Sequence, residues 1–242
     1  MMMTGPFPRH VHSGVHYLDF LGRFAPACGA RSYFEIGVNI GKSLRKIDLP
    51  SVGVDPQFMF RDDIMGAKPE LHLFQTTSDT FFQTRNLKAF FPEGVDLAFL
   101  DGMHLFEFLL RDLINTEKAM GPGGVIFLHD CLPINAEMTE RERRPGQRRD
   151  VELKSHWTGD VWKLIPILQH YRPDLEITFI DCPPTGLVML RKLDPGSQTL
   201  GAAYDAIINQ WMDVQCTDAS LEDFYKGLTL SAASEVLSQV GG

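Results

Sequence analysis

Residues 176–193, EITFIDCPPTGLVMLRKL, decide the fold. Two apolar runs, EITFIDCP and GLVMLRKL, flank a PTG turn that is far too short for the crossover a parallel pair of strands requires, so they must form an antiparallel hairpin. The chain upstream has the opposite character. RSYFEIG, SVGVDP, LHLFQTTSD, VDLAFLDG and GVIFLHD are short strands interleaved with helical stretches such as LFEFLLRDLINTEKAM, residues 105–120. That alternation builds a parallel sheet covered by helices on both faces.

The expected fold is therefore α/β: a Rossmann-like, mostly parallel seven-stranded sheet with helices on both faces and a C-terminal antiparallel hairpin. Residues 13–28 place Val15, Leu18, Leu21 and Phe24 at intervals of three behind Ser13 as a cap, which predicts an amphipathic helix. GKSLRKI, residues 41–47, would begin the first helix of the sheet, GPGG at 121–124 would turn into the fifth strand, and TGDVWKLIPILQHY would be helical. Residues 135–156 are charged and lack apolar periodicity, which predicts a flexible lid loop. One domain over residues 1–242 follows, with an N-terminal helical extension (1–29), a core (30–192) and a C-terminal helical extension (193–242).

Composition narrows the function. With 44% apolar residues the chain can bury a sizeable core, and a net charge of −8 opposes a general nucleic-acid surface. The four cysteines form no C-x-x-C pair and suit a reducing cytoplasm. No run approaches the roughly 18 apolar residues of a membrane span, so no membrane partner is expected. The two helical extensions would suit a homodimer.

Polar residues collect where the strands end: Glu35, Asp55, Ser78, Asp101, His129 and Asp130. In an open α/β sheet ligands bind outside those carboxyl ends. After the first strand comes Gly37-Val38-Asn39-Ile40-Gly41, in which Asn39 replaces the middle glycine of the dinucleotide fingerprint G-x-G-x-x-G. A pyrophosphate cradle is poorly matched, and Glu35 just before it favours a cationic ligand. Asp55, twenty residues past Glu35, stands where a carboxylate accepts the two hydroxyls of a ribose. That spacing serves any adenosine-bearing cofactor, and the terminal hairpin argues against the ordinary dinucleotide fold.

EIGVNIGKS, VGVDP, VDLAFLDGMHLFEFLLRDL, GPGGVIFLHD and the hairpin, in this order over residues 30–192, resemble the class I S-adenosylmethionine-dependent methyltransferases. DGMHLFEFLLRDL followed by GPGGVIFLHD is similar to the branch that includes the macrocin-type sugar O-methyltransferases. The resemblance implies S-adenosyl-L-methionine as cofactor and a small-molecule or sugar hydroxyl as acceptor. Glu35, Gly37, Asn39, Gly41 and Ser43 would line the methionine end, Asp55 would hold the ribose, Ser78 and Asp79 would lie near the adenine, and Asp101 would border the cofactor. Metal-binding relatives hold Mg²⁺ or another divalent metal on positions that correspond to Asp101, His129 and Asp130, and the histidine of the D-G-x-H phrase, His104, acts as base beside Asp101. His129 stands where those relatives carry a carboxylate, whereas Mg²⁺ prefers oxygen ligands.

Other readings stay open beside this one: a nicotinamide-dependent oxidoreductase, or a non-catalytic binding protein that has kept the fold. Arg141, Arg143, Arg144, Arg148 and Arg149 are either a clamp for an anionic substrate or a solvated lid, and the interspersed Glu140 and Glu142 favour the lid. Trp157 and Trp162 are candidates for an acceptor wall, with core packing the rival for Trp162. Phe81, Phe82, Phe106 and Phe108 read as core.

Overall fold

The computed structural model describes residues 8–240. One mixed sheet carries the molecule. Its strands are β1 (Tyr33–Ile36), β2 (Ser51–Asp55), β3 (Leu71–Gln75), β4 (Val95–Leu100), β5 (Met120–His129), β6 (Glu176–Asp181), β7 (Leu187–Arg191) and β8 (Leu230–Ala232), in the spatial order β3-β2-β1-β4-β5-β7-β6-β8. β1 to β5 are parallel, and β7 runs antiparallel to both β5 and β6, which is the hairpin read from residues 176–193.

The order reverses beside β1: the chain steps outward to β2 and β3, then returns to β4 on the other side. The switch opens a crevice at the carboxyl ends of β1 and β4. Strand side chains alternate between two cores. Phe34, Ile36, Ala98, Leu100, Ile126 and Leu128 face one, together with α2 (Ser78–Thr84), α3 (Phe106–Glu117), α4 (Leu164–Tyr171) and Ile207 of α6 (Tyr204–Trp211), which follows the short α5 (Thr199–Ala202). Tyr33, Leu97, Phe99, Val125 and Phe127 face the other, covered by α1 (Tyr17–Ala27) and, beyond α7 (Asp218–Lys226), by α8 (Ala233–Val240). The first and the last described helices thus complete the second layer.

Several local expectations are corrected. The sheet has eight strands, because Leu230–Ala232 joins β6 in parallel inside the stretch read as helical; three residues are too few to show an alternating pattern. No α-helix follows the first glycine turn. Ser43 spends its hydroxyl on Glu35 and Pro50 stands immediately ahead of β2, so only the 3₁₀ turn Leu44–Lys46 forms. Ser13 does not cap α1; its amide and hydroxyl donate to Asp181, and His16 Nδ1 accepts from Leu18 N instead. GPGG is not a turn but part of β5, whose register against β4 shifts between Val95 and Leu97.

The segment 135–156 holds two 3₁₀ turns, Ala136–Thr139 and Pro145–Gln147. Its arginines form no open clamp. Arg141 pairs with Glu107 and Asp160, Arg144 with Glu142 and Arg149 with Glu137, while Arg143 and Arg148 donate to backbone carbonyls. Among the described residues no helix is long and apolar enough to cross a membrane.

Candidate active site

The carboxyl ends of β1, β2, β4 and β5 enclose a cavity of about 520 Å³. Gly37, Asn39, Asp55, Ser78, Asp79, Asp101, His104, His129 and Asp130 all line it. The polar wall is interrupted by Ile36, Val54, Pro56, Met103 and Phe108, a mixture that suits a nucleoside-sized ligand. Glu35, Gly41 and Ser43 do not line it.

Gly37 sets the narrowest part. Its φ is +89°, and a Cβ there would lie 1.8 Å from the Asp101 carbonyl oxygen, so the end of β1 touches the end of β4 with no room for a side chain. Asn39 follows at φ +47°, and its N–H donates to Asp55 Oδ2 at 2.8 Å. Asp55 Oδ1 accepts from Gln57 N at 2.7 Å. Each carboxylate oxygen has a second lone pair, so Asp55 is held by backbone and retains capacity for a ligand's hydroxyls. Ser78 opens α2, and Asp79 beside it takes both arms of Arg111 at 2.7 and 2.9 Å.

Glu35 sits beneath the turn, fully buried, with Tyr33 Oη and Ser43 Oγ each donating to it at 2.6 Å. Burial pushes its carboxyl up to about 7, against the pull of those two hydroxyls. The ordinary carboxyl lies lower, so the folded state holds more protons between pH 4.5 and 7 and loses stability as pH rises through that window. Asp112, also raised to about 7 by burial, acts in the same direction. Glu35→Gln is expected to flatten the decline by up to about 3 kcal/mol, read as urea midpoints from pH 5 to 8; an unchanged pH slope refutes this.

At the far side four groups interlock. His129 Nδ1 lies 3.2 Å from Asp101 Oδ1 and 3.4 Å from Asp130 Oδ1, and His104 Nε2 lies 3.4 Å from Asp101 Oδ1. His104 Nδ1 donates to the Trp157 carbonyl at 2.8 Å, with Asp130 Oδ2 at 3.3 Å. Burial opposes charge on the His104 ring, but Asp130 and the bond to Asp101 outweigh it and raise the ring to about 9. The same balance raises His129, and the two imidazoles hold Asp101 and Asp130 below the usual carboxylate range despite their burial.

Thr185, Tyr17 and Gly159 are participants for which the sequence offers no site signal, whereas Trp157 is one of the two acceptor-wall candidates. Thr185, from the hairpin turn, donates to Asp130 at 2.5 Å, so the hairpin braces the site as well as closing the sheet. Tyr17 of α1 packs on His129 with ring centroids 4.2 Å apart. Trp157 stacks on His104 at 5.1 Å, whereas Trp162 makes edge contacts with Trp211 and Phe224 in the core. Gly159 (φ +57°) lets that segment press on the His104 backbone, where a Cβ would meet its carbonyl at 1.6 Å. No periodicity marks such contacts. For Thr185 the PTG turn is the one visible signal, and its length speaks only to topology.

Asp101, His104 and Asp130 offer ligand atoms within 4.8 Å of one another. Two carboxylates and an imidazole are a poor match for Mg²⁺, which takes oxygen ligands, and suit a divalent transition ion better. The His104 Nδ1 bond to a carbonyl is the outer support that a ligating histidine ordinarily has.

Residues 34–131 match the model of a family described as a methyltransferase domain. No curated protein matches the chain in sequence. The O-methyltransferase TomG from Streptomyces achromogenes, involved in tomaymycin synthesis and solved with SAM, is similar in structure at TM-score 0.51 and 16% identity, over 72% of this chain and 78% of that one. Cofactor-bound Rv0187 from MTB is similar at TM-score 0.50 and 15% identity, again over 72% of this chain and 78% of that one. The chain shares the Rossmann-like fold of these proteins.

Proposed function

We propose that this chain is an S-adenosylmethionine-dependent methyltransferase that methylates a hydroxyl group of a small molecule or sugar. The carrying observation is a single cavity that joins a backbone-held carboxylate at the end of β2, Asp55, to a paired Asp/His cluster at the ends of β4 and β5. The methyltransferase-domain match over residues 34–131 supports the same reading.

The residues fit the cofactor. Gly37 leaves the backbone bare where β1 meets β4, and Asp55 presents oxygens for ribose hydroxyls. When bound, the cofactor supplies a methyl group activated on a sulfonium. The chain must then orient the acceptor and take its proton. His104 is the candidate base: its Nδ1 is fixed by Trp157, which leaves Nε2 as the nitrogen that exchanges a proton. Asp101 and Asp130 stabilise the imidazolium that results. A divalent transition ion on Asp101, His104 and Asp130 would serve the same end by lowering the acceptor hydroxyl's pKa.

Calorimetric titration with S-adenosylhomocysteine, alongside NADH, tests the reading. Binding of S-adenosylhomocysteine alone is expected, weakened about 10- to 100-fold in Asp55→Ala, the worth of hydrogen bonds to a charged group. Binding of NADH instead would favour the oxidoreductase, and no binding of either would sink the methyltransferase.

A further inference from the structure

The turn that bounds the candidate cofactor cavity has a second face. Asn39 lines that cavity, whereas Ile40 and Lys42 line a separate cleft of about 500 Å³ together with Leu18 of α1 and Arg61. Arg45 and Lys46 complete its basic lining, and Asp62 is the single carboxylate among its lining residues. In a chain of net charge −8 this is a local reversal of sign.

Part of that charge is already matched. Arg45 pairs with Asp62 at 2.6 Å and Lys46 with Asp19 at 2.8 Å. Among the described residues Lys42 and Arg61 make no ion pair, which leaves two cations facing one cleft. One helix borders both features: Leu18 lines the cleft, and Tyr17 before it packs its ring on His129 at 4.2 Å. Burial lowers the His16 imidazole, one residue earlier, and Asp19, His129, Lys42 and Lys46 are the charges that act on it.

We propose that this cleft binds a phosphate group on the acceptor, so that the substrate is a phosphorylated hydroxy compound whose free hydroxyl reaches the Asp101–His104 cluster. The assignment to an acceptor rests on the methyltransferase reading; the anion site itself does not. Two uncompensated cations match the double charge of a phosphate monoester better than the single charge of a carboxylate. An Arg fork and a Lys point charge are complementary donors for its oxygens. Among the arginines of residues 135–156, Arg141, Arg144 and Arg149 have their charge taken up by Glu107, Asp160, Glu142 and Glu137, while Arg143 and Arg148 donate to backbone carbonyls and do not line this cleft.

The test is a titration of the full chain with inorganic phosphate at constant ionic strength, followed by the methyl NMR signals of Ile40 and Leu18. Saturable shifts at both are expected, with affinity about tenfold or more weaker in Lys42→Ala/Arg61→Ala, because each lost cation removes attraction that only the cleft concentrates. Both side chains are exposed, so the variant should fold as the parent does and retain its affinity for S-adenosylhomocysteine. Absence of saturable shifts, or equal affinity in the double variant, overturns the site. Phosphate binding by a chain that binds no S-adenosylhomocysteine overturns the acceptor assignment through the cofactor reading and leaves the anion site standing.

Discussion

Gly37→Ala is expected to destabilise the protein by more than about 4 kcal/mol, a large share of the stability of an ordinary domain. The cost has two parts that can be separated. A positive φ costs an L-residue about 1–2 kcal/mol wherever it occurs. At Gly37 a Cβ also meets the Asp101 carbonyl oxygen at 1.8 Å and its carbon at 2.3 Å, and both are backbone atoms. They have little freedom to retreat, because Asp101 N donates to Ile36 O and Gly37 N donates to Val54 O, both at 2.9 Å. Gly123 is the control: its φ is +74° and nothing lies within 4 Å of its would-be Cβ. Gly123→Ala should therefore show the backbone cost alone. Urea denaturation of the two variants reads the difference. A Gly37→Ala midpoint no lower than that of Gly123→Ala would mean that the β4 terminus yields, and that contact between β1 and β4 is not what shapes the crevice.

What could be read from the sequence follows physical range. The hairpin and the alternating strands were legible because loop length and apolar runs are local properties, and each parallel strand declares itself by its own composition. β8 was not legible: Leu230–Ala232 is a strand only because β6 offers an open edge. The same division holds at the site. Asp55, Asp101, His129 and Asp130 end their strands, and topology alone carries strand ends to one cavity. Glu35 also sits near the end of its strand, yet its side chain points into the layer beneath and spends both oxygens on Tyr33 and Ser43. Strand position gives proximity, while the parity of the residue along the strand decides which side of the sheet it serves. Tyr17 and Thr185 come from two distant segments, and only tertiary packing gives them a common address; Trp157 stands out in the sequence as an acceptor-wall candidate, and packing sets it on His104.

His104→Gln should slow turnover by about 10²- to 10⁴-fold, the usual worth of a positioned general base. Glutamine can still donate to the Trp157 carbonyl but cannot take up a proton, so the substitution removes the chemistry with little change in shape. The pH profile supplies a second readout. With its pKa at about 9, the His104 ring carries a proton at neutral pH, and only its neutral form can accept one. The active fraction is about one in a hundred at pH 7 and rises roughly tenfold per pH unit until it levels off near the pKa. Wild-type kcat/KM is thus expected to climb with pH towards about 9, and that of His104→Gln to stay flat. The Asp101 and Asp130 charges are what place the rise so high, because burial alone would move it the other way. Chelation separates the two chemical routes. If a divalent ion on Asp101, His104 and Asp130 activates the acceptor, EDTA should abolish wild-type turnover and a transition ion should restore it better than Mg²⁺. Turnover indifferent to EDTA and lost in His104→Gln identifies the imidazole as the base. A variant within a few-fold of wild type, with the same climb in pH, would remove His104 from the chemistry altogether.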